Sequence, residues 1–214
     1  SIYNKNIELF FVKKFRVAIL VDQNSVTYWQ KEALNHALNL INVELILSCE
    51  NNHPKRNYFR HFLYYVLNFL CLRNNFTKRY PISLQAQKVK FNCLSNGSWQ
   101  SLPSEIRAII LKKRIQVVIK FGMSLLKIDE QLSNVPFLSY HHGDPDKYRG
   151  RPAGFYELIN FERKIGVIIQ ALSNKIDAGE IYAFGSSKII HHSYRETSKR
   201  FFSISKFLLR DALI

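Results

Sequence analysis

With 214 residues, 47% of them hydrophobic and 22% charged, the chain has apolar content for a sizeable globular core, which excludes an intrinsically disordered composition. Cys49, Cys71 and Cys93 are widely spaced and odd in number, which argues against a disulfide framework and a Cys-x-x-Cys zinc site and favours a reducing, cytoplasmic setting. No stretch approaches the roughly 18 apolar residues of a membrane span, and no basic segment followed by an apolar run opens the chain, so neither a membrane nor a secretory role is expected. The net charge of +15 calls for an anionic partner: nucleic acid, a nucleotide-linked substrate, a polyglutamylated cofactor or an acidic surface. A lysine-rich solvated surface accounts for the same charge, so charge alone does not choose.

In chain order, Arg16–Asp22 (RVAILVD) is a continuous apolar run of the kind found in a parallel strand buried on both faces. Ser25 is placed to cap a helix carrying Trp29, Ala33, Leu34, Ala37 and Ile41 at helical spacing, and Val43–Ser48 returns as a second strand, completing a βαβ unit. Lys55–Asn75 reads as one helix with an apolar-aromatic stripe among basic residues. Such a stripe packs against a core more often than it stacks on nucleic-acid bases. A short strand is expected at Val89–Asn92, a turn at Asn96-Gly97, and a helix from Ser104 through Arg114 with Pro103 ahead of its cap. Gln116–Lys120 is a third apolar strand, stopped at Phe121-Gly122. Phe137–His141, Ile165–Ala171 and Glu180–Phe184 follow as strands, and Tyr194–Leu213 as a basic amphipathic helix. Strands alternating with helices imply an α/β sheet whose ligands bind beyond the carboxyl ends of the strands, here after Phe121 and Tyr140.

The densest group of polar and structure-breaking residues runs from Ser139 to Pro152 (SYHHGDPDKYRGRP), directly after a strand. Rigid sheets position such loops for function. Adjacent strand residues point to opposite faces, so Ser139 and His141 share one face while Tyr140 and His142 share the other. The His-His pair lacks a convergent third ligand, and no metal is expected. A second segment, Asn174–Ile181, places Asp177 ahead of Ala-Gly in a tight connection between strands.

Together these segments resemble the family of 10-formyltetrahydrofolate-dependent formyltransferases, which includes methionyl-tRNA formyltransferase, glycinamide ribonucleotide transformylase and the sugar-nucleotide N-formyltransferases. The family pattern is Asn-x-His, a loop ending in Tyr or Trp before Arg-Gly, a strand beginning Gly-Val, and then Leu-Asp-x-Gly. This chain supplies His141, Tyr148-Arg149-Gly150, Gly166-Val167 and Ile176-Asp177-Ala178-Gly179 in that order. The segment Val117–Leu126 is similar to the family strand and glycine loop whose backbone borders the folate pterin. The likeness is strong from about Arg114 to Ile190 and weak before it.

The resemblance implies a Rossmann-like, mostly parallel α/β sheet flanked by helices, of the formyltransferase catalytic-domain type. Residues 1–214 are expected to form one such domain: a βαβ part at about 15–120, a catalytic part at about 115–190 and a helix at about 194–213. It implies 10-formyltetrahydrofolate as formyl donor, with His141, Asp177 and Ser139 as catalytic residues. Phe121, Gly122, Met123, Leu125, Asn174 and Ile176 would border the donor, and Asp144, Tyr148, Arg149, Gly150, Arg151 and Tyr156 the acceptor. Ser139 stands where the family has asparagine. Its hydroxyl is shorter than a carboxamide, so it acts through a water, or Asp144 or His142 contributes, or the protein is a catalytically weak folate- or nucleic-acid-binding relative.

The acceptor is expected to be the amine of a nucleotide-linked sugar, an anionic small molecule. Glycinamide ribonucleotide is disfavoured because Asp22–Val26 lacks the glycine-rich phosphate loop of that branch. Methionyl-tRNA suits the charge, but that branch adds a C-terminal β-barrel, whereas this chain ends inside a helix. Hydrolysis of the formyl donor is the further alternative; the related deformylase usually carries an N-terminal regulatory domain for which the residues before Arg16 leave no space.

Overall fold

The computed structural model describes residues 13–52, 66, 73–143, 147, 153–174 and 179–214. Its strands are β1 (Phe15–Asp22), β2 (Ser25–Thr27), β3 (Ile41–Cys49), β4 (Arg79–Pro81), β5 (Gln87–Phe91), β6 (Leu94–Asn96), β7 (Trp99–Ser101), β8 (Val117–Lys120), β9 (Leu125–Leu126), β10 (Phe137–His142), β11 (Lys164–Ala171) and β12 (Ile181–Lys188). The helices are α1 (Tyr28–Ala37), α2 (Ser104–Lys112), α3 (Phe155–Ile159) and α4 (Tyr194–Asp211). Of the aromatic helix expected at 55–75, Val66 is helical and Asn75–Thr77 forms a 3-10 turn; the remainder lies outside the described residues.

The main sheet runs β5-β3-β1-β8-β10-β11-β12. Its first five strands are parallel, and β11 and β12 are antiparallel additions. The chain leaves β1 toward β3 and β5, then returns to β8 and β10 on the opposite side. The topological switch point, where crevices open in such sheets, therefore lies between the carboxyl ends of β1 and β8. Both faces of the sheet are covered. Val17, Ile19, Val21, Ile119, Leu138, Val167 and Ile169 pack under α1 and α4. Ala18, Leu20, Leu45, Leu47, Val118 and Phe137 pack under α2 with Met123 and Leu126. Burial on both faces explains why β1 reads as an uninterrupted apolar run. A second sheet, β6-β7-β9, stands beside the first. Its β6–β7 hairpin turns at Gly97, φ +59°, where the sequence placed the turn.

Ser25 does not cap α1. Gln23 and Asn24 both take left-handed backbone angles (φ 52° and 50°), so the chain folds back as a hairpin and Ser25 enters β2 opposite Asp22. The cap moves to Thr27, whose N–H donates to Gln30 Oε1 at 2.8 Å, and the helix stops at Ala37, leaving Ile41 to open β3. Pro103 is itself the cap position of α2, its carbonyl accepting from Ile106 and Arg107 N–H. Among the described residues no helix is long and apolar enough to cross a membrane, no group of His, Cys, Asp or Glu could hold a metal, and Cys49 and Cys93 are buried free thiols.

Candidate active site

Ser139, the third residue of β10, and His141, its fifth, lie on the face shared with Val118 and Phe137, and they line a cavity of ≈ 410 Å³. Its other lining comes from Lys120, Met123, Ser124, Leu125 and Leu126 after β8, Trp99 of β7, Gln170 and Leu172 of β11 and its extension, Ser173 and Gly179. The mixed apolar and polar wall and the volume suit a small organic ligand. Ser139 lies opposite Lys120 across the parallel β8–β10 ladder and opposite Gln170 across the antiparallel β10–β11 ladder. Side chains opposite one another on adjacent strands share a face. The row Lys120–Ser139–Gln170 therefore runs along one wall, with His141 one pleat further out.

The loop after β8 is fixed by side chains that the sequence reading passed over. Gly122 permits contact between strand ends rather than an unusual turn angle: a Cβ there would lie 2.5 Å from Asp22 N and Val21 C. Asp22 Oδ1 accepts Met123 N–H at 2.9 Å, and its Oδ2 accepts from Asn52 at 3.0 Å. Asn52 Oδ1 accepts from Gln100, whose Oε1 accepts Ser124 N–H at 2.7 Å. Lys120 Nζ donates to Met123 O at 3.1 Å. Met123 is thereby held at φ +61°, a conformation costing a non-glycine residue on the order of 1 kcal/mol or more, which persists because so many partners determine it. Polar residues dispersed from 22 to 124 carry no local pattern that would have revealed this network.

The expected donor-binding residues divide. Met123 and Leu125 line the cavity. Phe121 does not; its ring packs on Trp29 and Tyr140 at centroid distances of 6.0 Å, across the sheet. Gly122 packs on β1. Asn174 clamps the main chain of Ile128, accepting its N–H at 2.7 Å and donating to its carbonyl at 2.9 Å, so its amide holds the far end of the loop. Tyr156 is exposed on α3, edge-on to Phe155, and is not among the cavity residues. Asp177, Ile176, Asp144, Tyr148, Arg149, Gly150 and Arg151 lie outside the described residues.

His142 makes no contribution to the cavity. It lies on the other face, ringed by Trp29, Tyr140, Phe201 and Phe202, and its Nε2 is 2.9 Å from Ser205 Oγ. Ser205 donates its own proton to Phe201 O at 2.8 Å, so it accepts from His142, which is neutral with its hydrogen on Nε2. Enclosure by the rings, with a smaller contribution from His141, pushes its pKa down from 6.5 to about 3. Burial likewise drives the Tyr140 phenol well above its usual range, and its hydroxyl donates to Ser205 O at 3.0 Å.

These features define a doubly wound α/β protein with a small-molecule cavity at the carboxyl ends of β8 and β10. No family model and no curated protein matches the chain. Solved structures do. Formyltetrahydrofolate deformylase of Pseudomonas putida KT2440 superimposes with a TM-score of 0.60 at 16% identity, covering 94% of this chain and 64% of that one. Glycinamide ribonucleotide transformylase 1 of Symbiobacterium toebii gives 0.62 at 11% identity, over 94% and 86% of the two chains. Its counterpart from Geobacillus kaustophilus gives 0.60 at 12%, over 94% and 97%. The chain has the fold these proteins share, while spanning less than two thirds of the Pseudomonas deformylase.

Proposed function

We propose that the protein transfers a formyl group from 10-formyltetrahydrofolate to an amine. The observation that carries this reading is the projection of Ser139 and His141 from the end of β10 into a cavity whose facing wall is the fixed Met123–Leu126 loop. It is joined by the fold shared with folate-dependent transformylases and deformylases. The cavity fits the donor in kind: apolar side chains of Trp99, Leu125 and Leu126 for a flat heterocycle, and polar groups at the strand ends for the formyl carbonyl.

In the reaction the amine lone pair forms a C–N bond to the formyl carbon as the C=O π pair moves onto oxygen. The attacking nitrogen then gives up one proton. The oxygen pair restores C=O as the old bond to the donor nitrogen breaks, and that nitrogen takes up a proton. His141 donates to the oxygen while it is negative. Asp177 is assigned the task of moving the proton from the amine, directly or through water.

An amino sugar carried on a nucleotide is the acceptor we propose, its anionic phosphates matched to the net charge of +15. Phosphate capture in the manner of a glycine-rich first turn is opposed by the hairpin after β1. There Gln23 N–H donates to Cys49 O at 3.2 Å and Asn24 N–H to Ser48 Oγ at 2.7 Å, so these amides are engaged, and the Asp22 carboxylate stands beside them. This disfavours glycinamide ribonucleotide. Methionyl-tRNA remains the second acceptor, on charge alone, and water a third.

The test is single-turnover transfer from 10-formyltetrahydrofolate to amino-sugar nucleotides, methionyl-tRNA and water. Wild type is expected to formylate one class. His141→Ala and Asp177→Ala are each expected to lose at least about 100-fold, the scale of removing one oxyanion donor. Formate release without any formylated amine would assign hydrolysis instead. Donor binding with neither product would mark a folate-binding protein without turnover.

A further inference from the structure

We propose that the open face of β11 and β12 beside His141 receives the nucleoside diphosphate of the acceptor, with Phe184 against the base and Lys164 and Lys188 on the phosphates. The assignment rests on the formyl-transfer reading above and locates the acceptor side of that site. Register is the first observation. His141 stands opposite Ile168 across the β10–β11 ladder, and Ile168 opposite Phe184 across the β11–β12 ladder. Opposed side chains share a face, so His141, Ile168 and Phe184 form one row from the cavity to the edge of the sheet. Two strand spacings of about 4.8 Å put Phe184 roughly 10 Å from His141, within the length of a nucleotide-linked sugar whose amine is at the histidine.

The ring of Phe184 is the second. It is 67% exposed, with Ile181 and Tyr182 exposed beside it on the same edge strand. Apolar side chains grouped in the open next to a cavity mark a binding surface. The ring leans inward: a Cβ added at Gly166 would lie 3.5 Å from Phe184 Cε2 and 3.3 Å from Gly143 O, just past the two histidines. An exposed phenyl face of this kind offers a stacking platform to any nucleobase.

The third is a pair of cations. Lys164 and Lys188 are directly opposed in the β11–β12 ladder, both exposed, on the same face as Phe184. Among the described residues neither is in a salt bridge. Like charges directly opposed weaken a ladder, and an anion held between them removes the repulsion. Between the lysines and the Phe184 row lie only Gly166 and Ser186, which leave a shallow depression for phosphates. Four residues of strand are about 13 Å, and long, flexible lysine stems can cross much of it. The molecule so placed has its diphosphate over Gly166, its base on Phe184 and its amine toward His141. These side chains bind the acceptor; no bond is made or broken at them.

The test uses the whole chain. Calorimetry gives the Kd of UDP, dTDP and GDP, and of the nucleoside of whichever binds tightest, for wild type, Phe184→Ala and the double variant Lys164→Gln/Lys188→Gln. Wild type is expected to bind at least one diphosphate. Phe184→Ala is expected to weaken diphosphate and nucleoside alike by at least about fivefold, the low end of one base–aromatic stack. The double variant is expected to weaken the diphosphate by at least about tenfold and the nucleoside hardly at all, the scale of a charge-assisted hydrogen bond. Each variant should bind 10-formyl-5,8-dideazafolate as wild type does, which shows that it is folded. In steady state the loss should appear in the KM of the amino-sugar nucleotide. Diphosphate binding unchanged in both variants would overturn the proposal, as would inorganic pyrophosphate binding as tightly as the diphosphates. So would a wild type that formylates methionyl-tRNA and binds no diphosphate, with formyl transfer itself left standing. A wild-type dimer that Phe184→Ala disperses in sedimentation, with nucleotide binding unaltered, would assign the face to a second copy of the chain instead. The expected losses in a protein that formylates no acceptor would uphold the nucleotide site and sink the transfer reading.

Discussion

Two adjacent histidines on one strand have opposite chemistry, because the pleat sends them to opposite sides of the sheet. His141 reaches the cavity, whereas His142 is an enclosed neutral imidazole between aromatic rings. Its depressed pKa gives a signed prediction. Above pH 6.5 the group is neutral in both folded and unfolded chains and does not affect their balance. As pH falls from 6.5 toward about 3, the unfolded chain binds a proton that the folded chain does not, so stability is lost in that window. The slope from this one group reaches at most about 1.4 kcal/mol per pH unit. His142→Gln, which keeps an amide donor for Ser205, should show a shallower fall in urea-midpoint stability between pH 6.5 and 4 than wild type. Equal slopes would contradict the assignment. The histidine motif and the alternation were legible in the sequence because both are local. The aromatic ring around His142, built from α1, β10 and α4, was not.

Among the elements, the contact of β1 with the end of β8 controls the site. Gly122 lies against the β1 backbone, and the loop it begins hangs on Asp22. Gly122→Ala would place a methyl within 2.5 Å of backbone atoms that cannot move without parting the β1–β8 ladder. The expected loss is about 3 kcal/mol, at the upper end of overpacking costs, measured as a lowered denaturation midpoint. Donor affinity should fall with it, since the Met123–Leu126 wall shifts. Strands β1, β3, β8, β10 and β11 could be read from apolar runs because the sheet buries them. Short β2, β4, β6, β7 and β9 have few buried positions, and α3 begins after a left-handed Gly154 (φ +75°), so none gave a periodic signal.

For the molecule as a whole, a ligand that binds only the folded chain raises its stability. At 100 times its Kd the gain is about 2.7 kcal/mol, or roughly 5–10 °C in Tm for a chain of this size. 10-Formyl-5,8-dideazafolate is expected to produce that shift in 0.15 M salt, with little change at 0.5 M, since the wall proposed to receive its pterin-like ring, Trp99, Leu125 and Leu126, is apolar. A thermal shift produced by RNA instead, and erased by the added salt, would favour a nucleic-acid-binding role for the positive charge.

The sequence by itself determined the order of the buried strands, the face on which His141 stands and the resemblance that suggested its chemistry. Each of these is written in contiguous residues through strand alternation or motif spacing. Tertiary structure alone decided that Lys120, Ser139 and Gln170 form one row, that Asp22, Asn52 and Gln100 fix the Met123 loop, and that Phe121 turns away from the cavity. Register between strands is set by how two apolar faces pack against helices distant in the chain, and no window of sequence contains that information.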